Sequence, residues 1–73
     1  MKYTVVFEQG PTSWGAYGPD LPDCVTAGAS LDQVRERIRE AIEFHLEGIR
    51  EEGLAIPLPS SRAQEIEVLW PAA

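Results

Sequence analysis

The stretch from Ser30 to Gly53 constrains the fold more than any other, because its periodicity admits a single long amphipathic helix. Placed at about 100° per residue, Leu31, Val34, Ile38, Ala41, Ile42, Leu46 and Ile49 fall on one stripe. Glu36, Glu40, Glu43, Glu47 and Glu51 fall on the opposite side, interleaved with Arg39 and Arg50. Ser30 can cap the N-terminus, and Gln33 three positions on completes an S-x-x-Q capping box. Gly53 can turn left-handed just past the end, and Pro57 soon after forbids resumption. The pattern predicts a helix over about residues 31–52 that must bury one face against another layer.

The rest of the chain supplies that layer as strands. From Lys2 to Glu8, Tyr3, Val5 and Phe7 alternate with Lys2, Thr4, Val6 and Glu8, a β-branched and aromatic pattern with one buried face. The turn cluster Gln9-Gly10-Pro11-Thr12-Ser13 joins it to a second strand over 14–18, thinned by Gly15, Ala16 and Gly18. Pro19-Asp20-Leu21-Pro22-Asp23 reads as a stiff extended connection, since each proline fixes φ and removes a backbone donor. A short third strand over 24–28 puts Val25 and Ala27 on one face. After the helix, Leu54 to Ser61 carries Pro57 and Pro59 and reads as a loop. A last strand over 65–70 alternates Ile66, Val68 and Trp70 against Glu65, Glu67 and Leu69. The order β-β-β-α-β, without repeats or a second composition regime, predicts one α+β domain over 1–73 with two layers.

Length and charge narrow the function classes. A chain of 73 residues buries roughly 60% of the surface its unfolded form exposes, so a homodimer or higher homo-oligomer, or another partner, is expected. The net charge of −6 repels phosphate backbones and suits a basic protein surface. Arg35, Arg37 and Arg39 point in three directions and make no phosphate track, so direct nucleic-acid binding is not expected. Cys24 is the only cysteine, which rules out an intrachain disulfide. No apolar run is long enough to span a membrane and Met1 opens no leader, so a cytoplasmic protein is expected.

The run Gly15-Ala16-Tyr17-Gly18-Pro19-Asp20-Leu21-Pro22-Asp23-Cys24-Val25-Thr26-Ala27-Gly28 resembles the signature segment of HicB-like antitoxins. That family shows an aromatic before a P-D-L-P-G-C-like stretch, then T-x-G and a helix. It continues into an I-P-x-P segment, matched by Ile56-Pro57-Leu58-Pro59, and a closing strand, matched by 65–70. The resemblance implies a partial ribonuclease-H-like fold, with three antiparallel strands, one helix and a fourth strand alongside the first. It also implies the neutralising half of a type II toxin–antitoxin pair. The partner would be a small basic HicA-like toxin that cleaves messenger RNA, blocked by masking its active or RNA-binding surface. Asp23 stands where the family usually has glycine. Many members carry a C-terminal DNA-binding motif; this chain ends at Ala73 without room for one, so autoregulation by direct DNA binding is not expected.

Several residues invite a chemical role. A helix-borne metal site at His45 would need a second ligand three or four positions away, and Ala41, Ile42, Gly48 and Ile49 cannot serve. Cys24 as a nucleophile would need a base, and His45 is the only histidine. A packed histidine and a small buried cysteine are the plainer fates. Metal-dependent nuclease chemistry needs converging carboxylates, whereas Glu8, Asp20, Asp23, Asp32 and Glu36 are scattered over strand end, loop and helix. No catalytic residue, metal or cofactor is therefore expected, and the chain reads as a protein-binding domain rather than an enzyme. The candidate partner contacts are Trp14, Tyr17, Asp20 and Leu21 around the proline loop, with Glu43, Phe44 and Glu47 on the helix. The glutamate face would steer a basic toxin, or simply face solvent. The competing readings are an orphan interaction or ligand-binding module of the same fold, and a thiol or metal-dependent enzyme built on Cys24 and His45.

Overall fold

Three strands in sequence, β1 (Val6–Gln9), β2 (Trp14–Gly18) and β3 (Leu21–Gly28), precede one helix, α1 (Leu31–Glu51), in the computed structural model, which describes residues 1–71. The sheet order is β1-β2-β3 and both pairs are antiparallel, giving a meander with α1 packed on one face. Val6 pairs with Tyr17 and Tyr17 with Val25, while Gln9 pairs with Trp14 and Trp14 with Gly28. Alternation along the pleat sends Ala16 and Cys24 toward the helix and Tyr17 and Val25 to the opposite face, while Leu21, three residues before Cys24, is buried too because the alternation breaks at the irregular register beside Gly18.

The core is small. Val34 and Ile38 from the helix meet Ala16, Leu21 and Cys24 from the sheet, with Tyr3, Val5, Phe7, Trp14, Ile42 and Leu46 packed around them. The apolar stripe thus faces the sheet, and its later member Ile49 lies outside this cluster.

Both helix ends close with identifiable chemistry. The Ser30 hydroxyl accepts from the Gln33 amide at 3.1 Å, while the Gln33 side-chain oxygen accepts from Ala29 N–H at 2.7 Å, one residue before the usual capping-box donor. At the other end Gly53 adopts φ of 72°. Its amide donates to the Arg50 carbonyl at 3.0 Å and Leu54 donates to Ile49 at 3.1 Å, the paired bonds of a Schellman motif.

The observed elements depart from the sequence pattern in three places. The ladder of β1 begins at Val6 rather than residue 2, because β2 turns away after Gly18 and leaves residues 2–5 no antiparallel neighbour. Tyr3 and Val5 still pack on the core. The third strand begins at Leu21, three residues earlier than expected, and includes Pro22. This is tolerable because β3 is an edge strand, and the register slips there between Tyr17 and Gly18.

The third departure is the last segment. The fourth strand expected at 65–70 is absent: residues 54–69 have no regular secondary structure, and Ile66, Val68, Leu69 and Trp70 are exposed. A strand exists only against a pairing edge, and none lies beside this segment. Its first half is nevertheless held. Tyr3 donates its hydroxyl to the Pro57 carbonyl, and Thr4 donates to the Ser61 carbonyl at 2.7 Å. Beyond Ser61 the chain forms an extended arm. The radius of gyration, 15.2 Å, exceeds the ~11 Å of a compact domain this size.

Candidate partner-binding surfaces

The proline loop has a structural task. Asp20, in the tight β2–β3 turn, accepts four hydrogen bonds from Ser60 and Ser61: both hydroxyls reach Oδ1, at 2.9 and 2.7 Å, and both amides reach Oδ2, at 3.0 Å each. These donors hold the carboxyl well below the usual carboxylate range, the Ser61 hydroxyl foremost. Both oxygens of Asp20 are thus engaged within the chain. Leu21 is fully buried at the centre of the core and presents no side chain to a partner, a correction to its expected surface role. Trp14 is half-buried and packs against the same core. Tyr17, by contrast, is exposed on the uncovered sheet face between Val6 and Val25, which forms a cross-strand apolar row.

On the helix, Phe44 is 83% exposed, an unusual cost for an aromatic ring. Helical spacing places Glu40 one turn before it and Glu47 and Glu51 after it on the same face. The helix carries the pairs Arg35–Asp32, Arg39–Glu36, Arg39–Glu43 and Arg50–Glu47. Glu40 and Glu51 enter none of these. Arg37 donates to the Ala27 carbonyl at 2.7 Å, which pins the helix to the end of β3. The three neighbouring arginines therefore point to three different partners and form no shared basic surface.

Cys24 is buried and unbridged. Its sulfur lies 4.0 Å from the Ala41 carbonyl, and burial, with Asp23 nearby, pushes the thiol pKa up, which disfavours the nucleophilic thiolate. His45 lines a shallow hollow with Phe44, Gly48, Ile49 and Glu52. Among the described residues no group of three or more His, Cys, Asp or Glu is placed to hold a metal ion. Asp23, at the position where glycine is usual in the resembled family, keeps negative φ, so the aspartate fits without strain. No helix among the described residues is long and apolar enough to cross a membrane.

A larger groove opens between the start of the chain and the helix. Tyr3, Val5 and Phe7 form one wall, Ile38, Ile42 and Leu46 the other, and Arg35, Glu36, Arg39 and Glu43 also line it, two charges of each sign. It runs along the side of the core where β1 forms the margin of the sheet. No sequence signal marks this groove, because it exists only once residues 3–7 and 38–46 are brought together.

Comparison with known proteins assigns the family. Residues 3–69 match the model of the HicB-like antitoxin of bacterial toxin–antitoxin systems. The chain is 32% identical over 68 residues to a Photorhabdus laumondii protein named Antitoxin HicB 2, covering 88% of this chain and 46% of that protein. It is 33% identical over 57 residues to a 14.9 kDa protein of Haemophilus phage HP1, covering 78% and 43%. An Archaeoglobus fulgidus UPF0150 protein shares 42% identity over 48 residues, 64% of this chain and 70% of that one. The chain spans less than half the length of the Photorhabdus and phage proteins. With three antiparallel strands, a capped amphipathic helix and a family match over nearly all its residues, this chain belongs to the HicB-like antitoxin family.

Proposed function

We propose that this chain neutralises a small basic, HicA-like, mRNA-cleaving toxin by covering its active or RNA-binding surface, and that the outer side of α1 makes the contact. The family match supports an antitoxin role in a toxin–antitoxin system. The observation that carries the choice of surface is Phe44, left in solvent and bracketed by Glu40 and Glu47. An aromatic ring among carboxylates receives an arginine well: the ring face and the acids both attract the guanidinium. Glu43 and Glu47, already paired with Arg39 and Arg50, are positioned to exchange those exposed partners for the toxin's cations. Tyr17 would extend the contact only if the toxin also reached the open sheet face, on the far side of the core from the helix.

Co-expression with the small basic protein encoded in the neighbouring reading frame tests the proposal. The expected result is relief of growth arrest and a complex on a sizing column. Phe44→Ala should weaken that complex by about 30-fold or more, the loss typical of a central aromatic contact. Raised salt should slow association. Unrelieved arrest with no complex would reject the antitoxin reading, and a Phe44→Ala complex of unchanged affinity would reject the surface.

A further inference from the structure

Gly48 has no structural reason to be glycine. It stands inside α1, where glycine weakens a helix relative to alanine. Its φ is not positive, since among the described residues only Gly53 has a positive φ. A Cβ at residue 48 would meet nothing within 4 Å, so no neighbouring backbone or side chain requires the space. What the missing side chain leaves is a hollow of about 210 Å³, lined by Phe44, His45, Gly48, Ile49 and Glu52.

The hollow has an order along the helix. Phe44, Gly48 and Glu52 follow at four-residue steps and share one ridge, with about 6 Å of rise from each to the next. Glu52 is the C-cap but keeps right-handed helical backbone, at φ of −80°, so the ridge is unbroken. It therefore reads as aromatic ring, gap, carboxylate. The ring is left in solvent, and Glu52 enters none of the ion pairs that the helix carries.

We infer that the hollow over Gly48 seats one arginine side chain of the basic partner, its guanidinium held between the Phe44 ring and the Glu52 carboxylate. The inference rests on the reading that the outer side of α1 meets the toxin. It adds to that reading the seat, the side chain that fills it and the residue that sets its size.

Three properties select this occupant. The first is volume: the hollow is smaller than the roughly 300–1,000 Å³ of small-molecule pockets, and suits a single side chain. The second is chemistry. A guanidinium is planar and weakly hydrated, so it can stack on a ring while giving two N–H groups to a carboxylate. A lysine ammonium has no plane to stack. The third is charge. The hollow lies in the last turn of α1, at the negative end of the helix dipole, with Glu47 and Glu51 beside it in a chain of net charge −6. Arg50, the basic residue of that turn, is turned to Glu47 at 2.6 Å. Gly48 is thus a specificity-determining residue: any larger side chain there would occupy the seat.

Stability and binding should therefore move in opposite directions. Gly48→Leu and Gly48→Gln, both better helix formers, should raise the thermal midpoint of the free chain. The same variants should weaken the complex with the small basic protein of the neighbouring reading frame by about tenfold or more. Glu52→Gln should weaken it as well, with an unchanged helical circular-dichroism signal. Replacing the partner's arginines by lysine one at a time should find one whose loss weakens the parent complex about tenfold. That replacement should have little further effect against Gly48→Leu, the mark of two residues that share a contact. A complex that is sensitive to Phe44→Ala but indifferent to both Gly48 variants would overturn the inference and leave the surface standing. An arginine scan with no coupled position would overturn it too. Absence of any complex would reject the antitoxin reading itself, and the arginine seat with it.

Discussion

Asp20 grips Ser61 twice, taking the hydroxyl on Oδ1 at 2.7 Å and the amide on Oδ2 at 3.0 Å. With Ser60 bound in the same way, one carboxylate ties the β2–β3 turn to a segment forty residues on. The contact lies between the body of the domain and its projecting arm, so conditions that break it should free the arm's root before they unfold the core.

Acid should do this. The folded-state pKa of Asp20 lies below the ordinary 3.8, so the stabilisation it supplies is complete above that value and declines as the pH falls through it toward the folded value. Amide exchange at Ser60 and Ser61, corrected for intrinsic rates, should therefore lose protection below about pH 4 while that of Val34 and Ile38 persists. Asp20→Ala should give the same loss at neutral pH. Protection unchanged in Asp20→Ala would show that Thr4 and Tyr3 suffice to hold the segment.

Two glycines should respond oppositely to alanine. A Cβ at Gly48 would meet nothing within 4 Å, and the residue sits inside α1, so Gly48→Ala should stabilise by about 0.5–1 kcal/mol. A Cβ at Gly28 would lie 2.8 Å from Gln33 Oε1 and 2.9 Å from Val34 Cγ2. Gln33 is committed to the cap and Val34 is fully buried, so Gly28→Ala should cost about 1–3 kcal/mol and loosen the first helical turn. Thermal midpoints should move by about 4–8 °C per kcal/mol, in opposite directions.

Leu21 offers the sharpest test of the core. It is wholly buried, one of five buried hydrophobic residues among the described ones, so Leu21→Ala should cost about 2–5 kcal/mol. Against a total of roughly 4–11 kcal/mol for a chain this size, that loss leaves a substantial unfolded fraction at 37 °C. Urea denaturation, read by circular dichroism, gives the value directly.

Phe44→Ala should separate binding from folding. An 83% exposed ring contributes little to the core, so urea stability should stay within about 0.5 kcal/mol of the parent chain. A large drop in stability would mean that Phe44 is covered in the free protein, and a toxin could then reach it only by displacing what covers it.

Local signals in the sequence were enough for the helix, because stripe, cap and terminating glycine agree along one continuous stretch from Ser30 to Gly53. The second strand was legible for the same reason. Leu21 was misjudged because two flanking prolines mark a surface loop, and only the edge position of β3 lets a strand run through Pro22. Asp20 carried a sign of interaction but none of its partner, since hydrogen bonds spanning 40 and 41 residues leave no local pattern. The last segment shows the deeper reason. Its alternation states what Ile66 and Val68 need, yet says nothing of which edge provides it.

The two margins of the sheet are not equivalent. The outer strand β3 carries Pro22, which has no amide to give, and an irregular register beside it. Growth of the sheet is thus open on one flank and blunted on the other. A chain built this way can accept a neighbour without templating the next one, which protects a small protein with sticky ends from running on into fibres.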